Sequence, residues 1–293
     1  MRKMFKRIWR IITAPFRFVG RVLAAVWHWI SRTSGVIDAF LTEEPEDEPL
    51  PDTFAKTVQN PMGLFEHINA LRKHLFRAVI FLAITTAFSF LFAEKFIDIL
   101  ARPIGGISAL RAIDVTESVG TFMRVALLSG FAIALPYIAF ELWLFAAPGL
   151  SKRSRIIGLI AIPAVVIFFL GGIAFTYFVM MPTALEFLLN FMGITTIPRP
   201  STYIGFVTSL MFWIGVAFEF PLVIYILASM GLIKAKALAK QWRIAVVIIA
   251  VVAAAITPTV DPINMSLVML PMILLFFVSI GLAYLAQRGR ETY

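Results

Sequence analysis

Apolar residues in this chain gather into long runs separated by short polar stretches, from residue 76 almost to the end. A helix rises about 1.5 Å per residue, so some 20 apolar residues are needed to cross roughly 30 Å of hydrocarbon. Runs of that order fall at 76–93, 125–147, 156–181, 203–231 and 263–286, with a shorter one at 244–256. The pattern predicts an all-α polytopic membrane protein with six transmembrane helices, the last two short and joined as a hairpin. The run at 244–256 reaches only about 20 Å as a helix, so it thins the bilayer locally or leaves one end in a water-filled cavity, unless Trp242 and residues beyond Ile256 extend it. Pro136, Pro163, Pro221 and Pro271 fall within spans, where a missing backbone N–H kinks a helix and favours a concave bundle.

Charge orients these spans. Arg72, Lys73 and Arg77 precede the first, Lys152, Arg153 and Arg155 follow the second, Lys234, Lys236, Lys240 and Arg243 follow the fourth, and Arg288 and Arg290 close the chain. The alternate loops carry Lys95, Arg102, Arg111, Arg124 and Arg199 over longer lengths. Positive loops stay inside, so both termini are expected in the cytoplasm, in a multi-pass protein of the cell inner (cytoplasmic) membrane.

The first sixty residues follow a different pattern. On a helical wheel Phe5, Ile8, Trp9, Ile12, Phe16, Val19, Leu23, Val26, Trp27 and Ile30 share one face, and Lys3, Lys6, Arg10, Arg17, Arg21 and Arg32 the other. Residues 1–37 are therefore expected to form a basic amphipathic helix lying in the membrane interface against anionic lipid. Arginines recur through the whole stretch, which argues against a signal peptide. Residues 38–62 read as an acidic, proline-containing linker, and 63–293 as the membrane domain.

Composition agrees with this picture. The chain is 60% hydrophobic with 28 Phe, and its mean hydropathy is +0.89, far from a soluble domain. Its net charge of +9 belongs to the loops and to anionic lipid, and nucleic acid is not an expected partner. No cysteine is present, which removes disulfides and thiolate ligands.

The chemistry-bearing motifs of enzymes are absent: no phosphate-binding Walker sequence, no H-E-x-x-H, and no glycine-rich dinucleotide turn after a strand pattern. No cofactor and no enzymatic activity are expected. His67 and His74 share a helix face seven residues apart, but two ligands alone do not make a metal site. Energy coupling is left to ionisable groups within the membrane. Glu219, the sole charge in 203–231, heads that list, because a carboxylate facing lipid costs about 2.5–3.5 kcal/mol on insertion scales. Asp261, in the turn T-P-T-V-D-P at 257–262, is second, with a helix N-cap as its alternative role.

Three segments carry a family resemblance: F-E-H-I-N-A-L-R-K-H-L at 65–75, L-W-L-F-A-A-P-G-L-S-K-R-S-R at 142–155, and F-E-F-P at 218–221. From about Gly63 onward the chain resembles TatC, the six-helix core of the twin-arginine protein translocase. The resemblance implies a receptor for signal peptides bearing an Arg-Arg pair. It also implies an organiser of TatA- and TatB-like single-span partners that, as a homo- or hetero-oligomer, moves folded proteins across the membrane on the proton gradient. Arg72, Pro136, Phe145, Pro148, Gly149, Leu150, Glu219 and Asp261 are similar to the family's recurring positions, Glu117 and Arg124 to the stretch leading into its second span, and Glu141 to a polar position on the inner part of that span. The chain departs from the family at Ala70 and Ser154, where the entry motif H-L-x-E-L-R and the loop motif F-x-x-P-x-L-x-x-x-E-R carry glutamates for the arginine pair. Glu66, one turn before Ala70, is the nearest substitute on that helix. A proton- or ion-coupled small-solute transporter using Glu219 and Asp261 is the alternative, although no three-span internal repeat is visible.

Overall fold

A computed structural model of the chain describes residues 61–150, 152–189, 197–257 and 262–291. The basic helix expected at 1–37, the linker up to residue 60 and Asp261 lie outside these residues. The described part is helical, and all of it falls within one compact unit, Pro51–Tyr293.

Helix α1 (Pro61–Ser89) starts well before the apolar run that predicted it and stops short of its end. It turns through 72° into α2 (Ala93–Ala101). The amides of Leu91 and Phe92 donate back only three residues, to Phe88 and Ser89, so the last turn tightens and the helix ends. After α2 the chain reverses at Gly105 and Gly106, both at φ 95°, a left-handed conformation that favours glycine.

Helix α3 (Thr116–Ala146) ends in a 3₁₀ turn, Ala147–Gly149. Helix α4 (Lys152–Phe175) runs through a π-helical turn, Thr176–Met180, into α5 (Met181–Leu189). Helix α6 (Pro200–Ser229) opens with proline at its first turn, where the missing N–H is no loss. The short α7 (Ala235–Lys240), then α8 (Trp242–Ile256) and α9 (Pro262–Glu291), complete the order. Pro136, Pro163, Pro221 and Pro271 each sit inside a helix that continues through them.

Four helices are long and apolar enough to cross a bilayer, spanning Thr116–Gly149, Ser154–Leu189, Pro200–Ser229 and Pro262–Arg288, and the bent α1–α2 pair passes the same test when taken as one span. The last helix corrects the expectation of a short closing pair, because α9 has 30 residues. The helix takes in the whole apolar run at 263–286 and continues through the polar residues Gln287 and Arg288 to Glu291. Helix α8 does stay short: it begins at Trp242 and has 15 residues, about 22 Å in length. Thr257 precedes Pro258, and the proline ring pushes it to an extended ψ of 124°, which ends the helix.

Helix α6 is the centre of the bundle, packed against α3, α4 and α9. Its Ile204, Val207, Leu210 and Ile214 are fully buried. Backbones approach most closely where side chains are absent. A Cβ on Gly172 of α4 would stand 2.7 Å from Cα of Gly215 in α6, and one on Gly130 of α3 would stand 2.6 Å from Cα of Thr86 in α1. Small residues at helix crossings are the usual means of packing in lipid, which offers no hydrophobic drive for helices to associate. Ile160, Ile167, Val247 and Leu274 point outward, as lipid-facing side chains do.

Candidate functional site

The loop end of α3 holds the densest polar cluster. Glu141, two turns before the helix ends, is only 1% exposed. Its Oε1 accepts 2.6 Å from the Tyr137 hydroxyl one turn back, and its Oε2 lies 2.6 Å from Nδ1 of His74 on α1. Nη1 of Arg77, one turn beyond His74, lies 3.5 Å from both oxygens. A buried carboxylate is tolerable only when paired and fully hydrogen-bonded, and these three donors meet that need.

Phe145 sits one turn past Glu141. The ring of His67 lies against it at 4.5 Å between centroids, and His74 approaches it edge-on at 6.2 Å. Ala70 lies on α1 between these two histidines, on the face turned toward Phe145. Thus the two helices meet along a column of His67, Phe145, His74, Glu141 and Arg77.

The following turn is tied down by Arg155. Its Nε donates to the carbonyls of Ala147 at 2.8 Å and Leu150 at 3.0 Å, and its Nη2 to that of Pro148 at 3.4 Å. Trp143 Nε1 returns a bond to the Arg155 carbonyl at 3.0 Å, and its indole packs where a side chain on Gly158 would be. A planar guanidinium can serve three carbonyls at once from fixed, spread directions.

The other end of α3 is fastened to the start of α6. Glu117 pairs with Arg199, and Nη1 of Arg124 donates 3.1 Å to the Ser201 carbonyl and fills the space left by Gly205. Glu117 and Arg124 are two turns apart on one face, so together they fix the angle between the helices. The Thr116 amide, and then its hydroxyl, bond the Asp114 carboxylate and hold its pKa below the usual carboxylate range.

Glu219 stands apart from both clusters, in the middle of α6. Neither of its oxygens reaches solvent, and neither has a hydrogen-bond partner among the described residues. The flanking Phe218 and Phe220 pack against Phe175 and Phe276. The position is apolar, and burying a carboxyl there without a well-formed hydrogen bond is costly.

The structure therefore joins Glu141, Phe145 and Pro148 at one end and Glu117 and Arg124 at the other. Arg72 is exposed on α1, Pro136 is exposed on α3, and Glu66 lies in the early turns of α1. His74, Arg77, Tyr137, Arg155 and Arg199 complete the clusters but were not singled out as site residues. Tyr137 and Glu141 are spaced one helical turn apart, a signal available in the sequence, whereas His74 and Glu141 meet across 67 positions. Among the described residues no group of three metal-ligating side chains occurs. A cleft of about 510 Å³ between α2, α3, α4 and α6 is lined by Phe96, Leu128, Leu170 and Met211. Its hydroxyls, Ser129 and Tyr177, donate to backbone carbonyls.

Comparison with known proteins decides what this bundle is. The model of the Sec-independent protein translocase protein family, TatC, matches residues 66–271. The chain belongs to the TatC family. It is 36% identical over 226 residues to the TatC of Carboxydothermus hydrogenoformans, covering 76% of this chain and 93% of that protein. With the TatC of Aquifex aeolicus it shares 33% over 240 residues, 78% of this chain and 98% of that protein. A crystal structure described as the twin arginine translocase receptor TatC superposes with a TM-score of 0.68 at 32% identity, over 75% of this chain and 99% of that one. The clustered residues from Glu66 to Glu219 fall inside the matched TatC region, and Phe276 lies just past it.

Within this TatC fold the Arg155 contacts give the loop motif a structural reason: its closing arginine holds the turn that its proline and leucine begin. Ala70 and Ser154 lie within the matched region and supply no carboxylate.

Proposed function

We propose that this TatC family member is the multispanning core and receptor subunit of a twin-arginine translocase, which moves folded proteins across the cytoplasmic membrane on the proton gradient. The observation that carries the proposal is the match to the receptor structure over 99% of that chain. The carboxyl of Glu219 adds to it: an acid at bilayer depth with no hydrogen-bond partner among the described residues suits a single-span TatA- or TatB-like helix whose polar group reaches between the bundle helices. The proposed topology has six spans, the bent α1–α2 pair first and the short α8 fifth, with both termini inside. The helix at 1–37 would rest on anionic lipid, 38–62 would be its linker, and Asp261 would lie at the mouth of the last hairpin.

Recognition of the Arg-Arg pair is proposed to be weakened in this chain. Guanidinium groups are best held by forked contacts to carboxylates. Ala70 and Ser154 provide none, and Glu141 is already occupied by His74, Tyr137 and Arg77.

Co-purification tests the function. A tagged copy extracted from its native membrane should bring down small proteins with one span and an amphipathic helix. Isolation without any such partner, together with solute-driven proton uptake in vesicles, would support the small-solute transporter instead. That alternative has little to use: the described apolar cleft has its hydroxyls committed to backbone carbonyls. Cysteine labelling of the cysteine-free chain checks the topology, with Gly105→Cys expected to react from outside and Ala237→Cys from inside.

A further inference from the structure

We infer that Glu141 is this chain's own guanidinium acceptor, and that Arg77 occupies it as an internal stand-in which a substrate's arginine must displace. The inference rests on the receptor reading above and specifies the group that does the recognising.

Glu141's three partners are not equally held. Tyr137 and His74 stand at 2.6 Å, whereas Arg77 faces both oxygens at 3.5 Å. A charged N–H to carboxylate bond settles near 2.7–2.9 Å when nothing opposes it. The Arg77 side chain is also 49% exposed, against 18% for His74 and 1% for Glu141. Arg77 is thus the partner that can leave: it has water to enter, and its departure breaks the two longest contacts.

What replaces it must also be a guanidinium. Removing a cation from a buried carboxylate without replacing it is strongly unfavourable. Exchanging one guanidinium for another leaves the charge of the site unchanged. Arg77 brings only one nitrogen to the two oxygens, whereas an incoming guanidinium can present two at once, a forked contact that an ammonium cannot make. Phe145 adds an aromatic ring one turn toward the loop, on which an arginine plane can stack. Ala70, between the two histidines that flank that ring, takes up less of the approach than a glutamate would.

The arrangement accounts for a receptor without the two motif carboxylates. It retains a single acid that is masked from within, so arginine binding is weak at rest and becomes stronger when Arg77 is disengaged.

The test is a titration of the full-length detergent-solubilised protein with a labelled Arg-Arg signal peptide and its Lys-Lys counterpart. Arg77→Gln should tighten Arg-Arg binding by about tenfold and leave the Lys-Lys peptide nearly unchanged. Arg77→Lys, which keeps the positive charge but not the planar head, should act in the same direction by a few-fold. Adding Glu141→Gln to either should cancel the gain. Unchanged or weaker Arg-Arg binding in Arg77→Lys, or a gain that survives loss of the Glu141 carboxylate, would overturn the inference. Ala70→Glu with Ser154→Glu separates the two levels. If that variant discriminates Arg-Arg from Lys-Lys while the Arg77 variants do not, the stand-in is wrong and the receptor reading holds. If no variant discriminates, both fall.

Discussion

Nδ1 of His74 stands 2.6 Å from Oε2 of Glu141, and this contact fastens the first helix to the loop end of α3. The same carboxylate serves Tyr137 and Arg77, so removing it leaves three donors without their acceptor. Glu141→Ala is expected to lower stability by about 1–3 kcal/mol, the lower end applying if half-exposed Arg77 turns to water. Glu141→Gln should lose less, because the amide oxygen still accepts. Thermal unfolding in detergent measures both, and an alanine variant that melts with wild type would show the cluster to be incidental.

The crossing of α4 and α6 gives a prediction with its own control. Gly172 faces the α6 backbone at Gly215, while a Cβ on the adjacent Gly171 would meet nothing within 4 Å. Gly172→Ala should cost about 1–3 kcal/mol by forcing two backbones apart. Gly171→Ala should be neutral or slightly stabilising, since alanine is the better helix former. Equal melting temperatures for the two variants would mean that the helices do not cross at Gly172.

Much of this was legible in the sequence, for identifiable reasons. Spans are read from the length of apolar runs, and α3, α4, α6 and α9 follow those runs. The bend at residues 90–92 was not visible, because no proline or glycine marks it and the run stays largely apolar across it. The closing helix ran longer than expected because a helix does not stop where hydrophobicity does. Glu219 was found as the one charge in its run, and the motif residues through spacing. The pairing of His74 and Arg77 with Glu141 could not be read, since it depends on how two helices lie together across more than sixty positions.

Glu219 presents two shielded oxygens with no partner among the described residues. On the proposed reading a partner helix supplies the missing hydrogen bond. Glu219→Gln, which keeps a polar side chain of the same shape, should preserve association with single-span partners, and Glu219→Leu should weaken it. Site-specific crosslinking in membranes provides the readout. Wild-type crosslinking yields in both variants would remove Glu219 from the partner contact.

The central proposal is that this TatC family member acts as a receptor although Ala70 and Ser154 stand where the resembling motifs carry glutamates for an arginine pair. A hydrogen bond to a charged group is worth about 1.5–3 kcal/mol, roughly ten- to a hundredfold in affinity for each site. The most direct measurement is a binding titration, at fixed salt, of wild type and of Ala70→Glu with Ser154→Glu, against one signal peptide with its arginine pair and one with lysines in their place. Weak binding by wild type is expected, with a large gain in the double variant that is mostly lost when lysine replaces arginine, because an ammonium has no fork to match a carboxylate. Tight, arginine-dependent binding by the unmodified chain would contradict the account.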